Sequence, residues 1–158
     1  MTMKEHHYQV RNEWTGNRGS GTLDYRAYAR DHTISAAGKS ETISGSSDPA
    51  FRGDSKRYNP EELFVSSLSS CHMLWYLHLA SANDITVLEY VDHADGTMAE
   101  DAEGIGRFSS VTLNPRIVIA QADKLDRAKE LHQEAGAKCF IANSVKLKIG
   151  YGGEIVVG

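Results

Sequence analysis

Two cysteines, Cys71 and Cys139, are the residues of this chain best suited to covalent chemistry. Cys71 lies ten positions after a carboxylate, Glu61, in a run of small and apolar residues with a helical pattern. Cys139 follows a second, more charged helical pattern. A cysteine reacts as the thiolate, so a reactive thiol needs a lowered pKa and a nearby positive charge. The two settings therefore indicate a dithiol mechanism that also requires an arginine.

Simpler structural explanations exist for the same residues. Cys71 could be a small buried apolar residue of a core helix, and Cys139 could fill space in the same way. His72 and His78 lie close to Cys71 in sequence and suggest a metal site. Two helical turns, or roughly 10 Å, separate Cys71 from His78, which is too far to share one ion without further ligands. We therefore expect no metal site.

Length and composition restrict the class of protein. A chain of 158 residues with 41% apolar residues predicts a single domain, 1–158, with one core. The net charge is −4 and the basic residues are scattered, which argues against a nucleic-acid partner. The apolar runs are too short for a signal peptide or a membrane span. We expect a cytoplasmic protein, in which cysteines are more often free or reactive than permanently bridged.

The first part of the chain has the pattern of short antiparallel strands. Loose alternation at 8–14 and 21–29, on either side of a turn-rich segment, predicts a hairpin with Arg18 at its tip. Further short strands are expected at 33–36 and 41–44. The polar segment 45–58 then predicts a long surface loop, a type of segment that often carries function.

A long helix over 60–82 is the clearest element of the sequence. Its apolar residues cover most of the helical circumference, and Gly and Pro are absent after Pro60, so we expect burial on most sides. Asn59 and Pro60 suit the first turn of a helix. Asn83 and Asp84 suit its end.

The remaining residues predict strands on both sides of a second helix. Strand-like runs lie at 85–98 and 106–121, and Asn114-Pro115 in the second indicates a bulge or an edge position. Asp123 is a candidate cap for an amphipathic helix that continues to Ala137. The last strands, 145–149 and 155–157, predict a hairpin that turns at Gly152-Gly153.

The motif Asn59-Pro60-Glu61-Glu62-Leu63-Phe64, followed by Cys71, resembles the OsmC/Ohr family of osmotically inducible and organic hydroperoxide resistance proteins. The resemblance spans nearly the whole chain. In that family the helix cysteine attacks an organic hydroperoxide or hydrogen peroxide, and a second cysteine converts the resulting sulfenic acid to a disulfide. Cys71 and Cys139 fall on these positions. The resemblance therefore implies a thiol-dependent peroxidase that acts in oxidative-stress defence.

The resemblance also implies the charged groups and the assembly. An arginine from an N-terminal hairpin holds the thiolate, and the glutamate of the motif fixes that arginine; Arg18 and Glu61 match these positions, with Arg52 as the alternative arginine. One straight helix would place Glu61 about 15 Å along its axis from Cys71. A bend, a bridging arginine or a second subunit could close this gap. The family's intertwined homodimer fits the third option.

An α+β fold with antiparallel sheets and a long central helix is the expected architecture. The expected partners are a second copy of the chain, the peroxide and a dithiol reductant of the lipoyl type, without a cofactor or metal.

The sequence departs from the family at Phe140, a position often held by proline, and at four serines. The serines are Ser66, Ser67, Ser69 and Ser70. These departures suggest an OsmC-like side branch. Two alternatives stay open: a non-catalytic protein that binds a small apolar ligand, and a redox sensor.

Overall fold

The computed structural model describes residues 2–158, and these form two units, one ending at Leu63 and the other running from Phe64 to Gly158. The first unit contains an antiparallel sheet in the order β1-β2-β3. Its strands are β1 (Arg11–Trp14), β2 (His32–Ser35) and β3 (Ile43–Gly45). No comparison tests the prediction of a single domain, which stays a prediction.

The predicted hairpin between 8–14 and 21–29 is wrong, because β1 pairs with β2 instead. Residues 21–29 form turns and bends. The Asn17 side chain accepts hydrogen bonds from the amides of Gly19 and Gly21, both of which have positive φ, and this curls the chain. The guanidinium of Arg30 lies over the ring of Tyr28 at 4.0 Å and donates to the carbonyl of the same residue. These local contacts favour a turn over a strand.

Hydrogen bonds and ion pairs fix the loop that precedes the long helix. Ser46 is fully buried; its hydroxyl donates to Asp31 (3.1 Å) and accepts from the Asp54 amide (3.1 Å). Arg57 lies 3.5 Å from Asp31 and 3.8 Å from Asp54. The predicted loop is thus present, and it contains one 3₁₀ turn, Pro49–Phe51.

The long helix, α1, runs from Pro60 to Ala82, with the bounds that the sequence predicts. The Glu62 amide donates to the Asn59 side chain (2.8 Å), and the Glu62 carboxylate accepts from the Asn59 amide (3.1 Å), which is a reciprocal capping box. The expected burial on most sides is confirmed, because the exposed residues inside the helix form one stripe, which includes Leu74 (62% exposed), and the other sides are buried or partly buried. The buried residues are Leu68, His72, Tyr76, Leu79 and Ala80. Within residues 2–158, no helix has both the length and the apolar character of a membrane span.

Two mixed sheets make up most of the second unit. The strands are β4 (Val87–Asp92), β5 (Asp95–Glu100), β6 (Gly106–Leu113), β7 (Pro115–Ile119), β8 (Ile149–Tyr151) and β9 (Glu154–Val157). One sheet has the order β4-β7-β9 and the other β5-β6-β8; in each, the first pair is antiparallel and the second parallel. The expected α+β architecture is confirmed at this level, and the all-antiparallel expectation is wrong.

Two helices connect the strands of the second unit. They are α2 (Leu125–Lys138) and the short α3 (Phe140–Asn143). Asp123 does not cap α2, because it lies inside a 3₁₀ turn, Ala122–Lys124, that leads into the helix. The buried side of α2 packs with α1 and the first mixed sheet in one apolar cluster that includes Tyr76, Ile117 and Leu131.

The predicted C-terminal hairpin is wrong, because β8 and β9 pair in parallel with two different strands, β6 and β7. The Gly152 amide donates to the Leu113 carbonyl (2.8 Å), and Gly153 has φ +87°. The chain therefore continues in the same direction and passes from one sheet to the other. The chain makes the same change of sheet at Asn114 and at His93-Ala94. At Asn114-Pro115 the sequence predicts a bulge or edge position and not this change of sheet.

These three changes of sheet lie side by side and form a level that we call the strand break. The Asp92 carboxylate accepts from the Asn114 amide (2.7 Å) and from the Ser69 hydroxyl of α1 (2.5 Å). On α2, His132 Nε2 lies 3.1 Å from the Gly152 carbonyl oxygen. Hydrogen bonds to the strand break therefore fix both long helices.

A buried histidine pair completes this arrangement. His72 Nε2 lies 3.0 Å from His132 Nδ1. The Gly152 carbonyl can only accept, so His132 carries its hydrogen on Nε2 and accepts on Nδ1, and His72 must donate from Nε2. His72 Nδ1 then bears a lone pair that has no partner within residues 2–158. Burial, and secondarily His132, lowers the pKa of His72 to about 4, so the pair is neutral at pH 7.

Replacement of Gly153 by alanine should destabilise the second unit through the strand break. An added Cβ would lie 2.2 Å from the Pro115 carbonyl oxygen, and the residue would have to keep φ +87°. The positive φ costs about 1–2 kcal/mol and the overlap about 1–3 kcal/mol more. We expect a total loss of about 3 kcal/mol in the free energy of unfolding, measured by urea denaturation.

Gly38→Ala is the matched control, because Gly38 also has positive φ (+77°) but an added Cβ would meet no atom within 4 Å. It should lose only the conformational cost of about 1–2 kcal/mol. Equal losses in the two variants would contradict the steric role assigned to Gly153.

Acidification should destabilise the protein through His72. Its pKa is about 4 in the folded state and 6.5 ordinarily, so between these values the unfolded chain binds the proton more tightly. The free energy of unfolding should therefore fall as the pH falls from 6.5 toward 4. At about 1.4 kcal/mol per pH unit the loss reaches about 3 kcal/mol. Urea denaturation at a series of pH values measures it.

His72→Leu should reduce this pH dependence, because the leucine cannot bind a proton; His132, whose pKa burial also lowers, accounts for the remaining slope. His78→Leu, on the exposed side of the same helix, is the control and should keep the full slope. An unchanged slope in His72→Leu would assign the acid sensitivity to other groups.

Candidate functional site

The two cysteines lie on adjacent elements of the second unit, and both are free thiols. Cys71 is in the middle of α1 and is partly exposed, whereas Cys139, between α2 and α3, is only 1% exposed. The Cys139 sulfur accepts a hydrogen bond from the Ala142 amide (3.4 Å), which caps α3. The structure therefore provides one accessible thiol and one enclosed thiol.

The two thiols lie close enough for Cys71 to affect the ionisation of Cys139. Burial raises the pKa of Cys139 to about 11; the Ala142 amide opposes this rise, and the neighbouring Cys71 thiol adds to it. The structure thus brings together the two cysteines that the sequence singles out. At neutral pH Cys139 is overwhelmingly protonated, so it is a poor nucleophile until something helps to remove its proton.

An apolar face of α1 adjoins Cys71. Leu74, Trp75 and His78 follow Cys71 at helical spacing, and a depression of about 250 Å³ lies among these three side chains. The Trp75 ring packs edge-on against Phe140, with centroids 5.4 Å apart. This face, defined by Leu74, Trp75 and His78, could contact an apolar group near the thiol.

Tyr151 is a residue of this region that the sequence analysis missed. Its ring stacks on His72, with centroids 5.1 Å apart and an interplanar angle of 29°, and meets His132 edge-on at 5.6 Å. Burial raises the pKa of Tyr151, and negative charge on Cys139 raises it further. The sequence shows Tyr151 only as part of a glycine-rich segment. The sequence does contain one signal: Gly136 lies inside an amphipathic helix, one turn before Cys139. A glycine inside a helix indicates that another side chain packs closely against it.

Histidines 72 and 78 lie on different sides of α1. His72 is fully buried in the pair with His132, and His78 is exposed. Among residues 2–158, no group of three His, Cys, Asp or Glu side chains is arranged to bind a metal ion.

The predicted charged residues belong to the first unit. Arg18 is exposed in the loop after β1, and Glu61 is partly buried in the first turn of α1. Neither of them forms an ion pair within the described part of the chain. Arg52 is exposed with φ +66°, and Arg57 is already paired with two carboxylates. The thiolate-binding roles of Arg18, Glu61 and Arg52 stay predictions.

Comparison with solved structures gives strong matches over the full length. An OsmC-like protein of unknown function from Vibrio cholerae is 31% identical, with 97% of this chain and 99% of that chain covered and a TM-score of 0.81. An organic hydroperoxide resistance protein from Elizabethkingia anophelis is 16% identical, with 98% and 99% covered and a TM-score of 0.64. Another, from Legionella pneumophila, is 14% identical, with 98% and 99% covered and a TM-score of 0.62. The last two show likeness of fold.

The family model described as OsmC-like protein matches residues 53–150, which include α1 and both cysteines. No match was found among curated proteins. The extent of the family match and the 31% identity over nearly the whole length confirm the resemblance seen in the sequence. The chain belongs to the OsmC-like family and has the mixed α/β fold of OsmC and Ohr proteins.

Proposed function

We propose that this protein is a thiol-dependent peroxidase that reduces organic hydroperoxides. The observation that carries the proposal is the pair of free, neighbouring thiols, of which one is partly exposed and the other enclosed. In the proposed reaction, the peroxide meets the accessible thiol, and the enclosed thiol completes a disulfide. Family membership supports this reading.

The difference between the thiols supports an order of events. Cys71, which is partly exposed, reacts first, because Cys139 is enclosed and its pKa is raised to about 11. The Cys71 thiolate attacks the distal peroxide oxygen; an S–O bond forms, the O–O bond breaks, and the alkoxide takes up a proton and leaves as alcohol. Cys71 is then a sulfenic acid, and the peroxide has received two electrons.

The second step uses Cys139. Its sulfur attacks the Cys71 sulfur, an S–S bond forms, and the S–O bond breaks. The proton from Cys139 and the departing hydroxyl form water. An external dithiol, of the lipoyl type by family resemblance, then reduces the disulfide and becomes a disulfide itself. Both thiols are thereby restored.

The apolar face beside Cys71 supports an alkyl or aryl hydroperoxide as substrate. Leu74 and Trp75 offer apolar surface that an organic group would cover and that hydrogen peroxide would not use. The neighbours from Elizabethkingia and Legionella are described as organic hydroperoxide resistance proteins, which agrees with this substrate class.

The proposal includes a cytoplasmic homodimer and a thiolate-binding arginine. α1 is one continuous helix, so Glu61 and Cys71 are separated by about 15 Å along it. An arginine, Arg18 in the first place, would have to bridge this separation within one chain or across two copies. Its positive charge would favour the Cys71 thiolate.

Serine variants of the two cysteines should separate their roles. Cys71→Ser should lose peroxide reduction, because the attacking sulfur is absent. Cys139→Ser should still react once with cumene hydroperoxide, and should accumulate the Cys71 sulfenic acid because no thiol resolves it. Stopped-flow fluorescence measures the oxidation, and mass spectrometry identifies the sulfenic acid or disulfide.

Wild-type protein treated with hydrogen peroxide is the comparison for substrate preference. Slow or absent oxidation of the wild type by both peroxides would contradict the peroxidase and leave a ligand-binding protein. Rapid formation of a disulfide that no dithiol reduces catalytically would indicate a redox sensor instead.

Arg18→Met should slow the oxidation of Cys71 by about tenfold or more, because it removes the positive charge proposed to stabilise the attacking thiolate. Arg52→Met removes the same charge from another exposed arginine and should have little effect. The pH dependence of the oxidation rate separates a loss of thiolate stabilisation from a loss of folding. A larger effect in Arg52→Met would reverse the assignment.

A further inference from the structure

Two histidine rings hold the partly exposed Tyr151 ring within the second unit. The His72 ring of α1 covers one face of the phenol, and the His132 ring of α2 meets it edge-on. Both histidines are fixed by the hydrogen bonds that end at the Gly152 carbonyl, the residue next to Tyr151. The orientation of the phenol therefore depends on the same hydrogen bonds as the strand break.

Gly136 leaves the space into which the phenol points. A Cβ at this position would lie 2.7 Å from Tyr151 Cζ and 2.8 Å from the hydroxyl oxygen. Any larger residue would thus displace the hydroxyl from the surface of α2. Glycine in the interior of a helix costs about 1 kcal/mol relative to alanine, so its presence here has a packing reason.

The hydroxyl lies about one helical turn along α2 from the enclosed cysteine, because it rests against Gly136, three residues before Cys139. Among the described residues, the Cys139 sulfur accepts its hydrogen bond from the Ala142 amide and none from the Tyr151 hydroxyl. Negative charge on Cys139 raises the pKa of Tyr151, as expected for neighbouring groups. The other titratable side chains around the phenol, His72 and His132, are neutral at pH 7, because burial lowers the pKa of each.

We propose that Tyr151 is a further residue of the dithiol site, whose hydroxyl donates a hydrogen bond to the Cys139 sulfur as that sulfur loses its proton. This inference deepens the proposed function and rests on it. Negative charge develops on Cys139 before the S–S bond forms, and the Ala142 amide is the donor already in place. Tyr151 supplies a second donor and keeps its own proton throughout. The Cys139 proton leaves with the sulfenic hydroxyl as water.

Tyr151→Phe tests the hydroxyl, because phenylalanine keeps the ring stacking and removes only the donor. After a pulse of cumene hydroperoxide, the conversion of Cys71 sulfenic acid to the disulfide should be about tenfold slower, as expected for loss of one hydrogen bond to a developing charge. The first oxidation of Cys71 should be unchanged. Quenched-flow trapping of the sulfenic acid measures both rates.

A second measurement does not depend on peroxide chemistry. In a Cys71→Ser background, Cys139 is the single thiol, and its rate of alkylation by iodoacetamide near pH 8 follows its thiolate fraction. Adding Tyr151→Phe should slow this alkylation by about tenfold. If wild-type protein fails to react with peroxides, the proposed function falls, and this comparison still decides whether Tyr151 assists Cys139.

Tyr90→Phe is the matched control, since it removes a buried hydroxyl that has no hydrogen-bond partner within residues 2–158. It should change neither the rate of disulfide formation nor the rate of Cys139 alkylation.

Gly136→Ala should imitate Tyr151→Phe, because the added methyl group displaces a hydroxyl that is still present. Circular dichroism checks the fold; if Tyr151→Phe does not fold, Gly136→Ala decides. Unchanged disulfide formation and unchanged alkylation in the folded variants would overturn the proposal.

Discussion

Attachment of the two long helices to the strand break is the constraint on which the thiol geometry depends. Three strands change sheet at one level, which leaves backbone and side-chain polar groups that need partners. Ser69 on α1 reaches Asp92, and His132 on α2 reaches the Gly152 carbonyl. The histidine pair then joins the helices to each other. Since Cys71 lies between Ser69 and His72 on one helix, and Cys139 ends the other, these bonds determine how closely the sulfurs approach.

Burial of the histidine pair, His72 and His132, has an electrostatic consequence. The paired histidines are neutral because a charged imidazole would be costly in the core, and two charged imidazoles would repel each other. They therefore give the thiols no positive charge at neutral pH. A thiolate at Cys71 needs its positive partner from elsewhere, which agrees with the arginine that the family resemblance implies.

The sequence predicts best those elements that depend on neighbouring residues. The bounds of α1 follow from its capping residues and from the absence of interior breakers. Pro115 indicates a bulge or edge position, but not that the chain changes sheet at Asn114. The partners of β1, β8 and β9 do not follow, because alternation identifies a strand but not its partner. His132 and Tyr151 were missed for the same reason. Each is more than fifty residues from His72, so only the tertiary structure shows that they meet.

Under the proposed mechanism, the unequal environments of the thiols protect the site as well as order its steps. A partly exposed sulfenic acid at Cys71 is open to further oxidation, and the sulfinic and sulfonic products are not reduced by simple dithiols. Cys139 avoids direct oxidation because it is enclosed and protonated. The same protonation slows its attack, so a site that kept Cys139 wholly inert would lose Cys71 to overoxidation. Hydrogen-bond donors at Cys139, which act more strongly as charge develops there, reconcile a protected thiol with rapid disulfide formation.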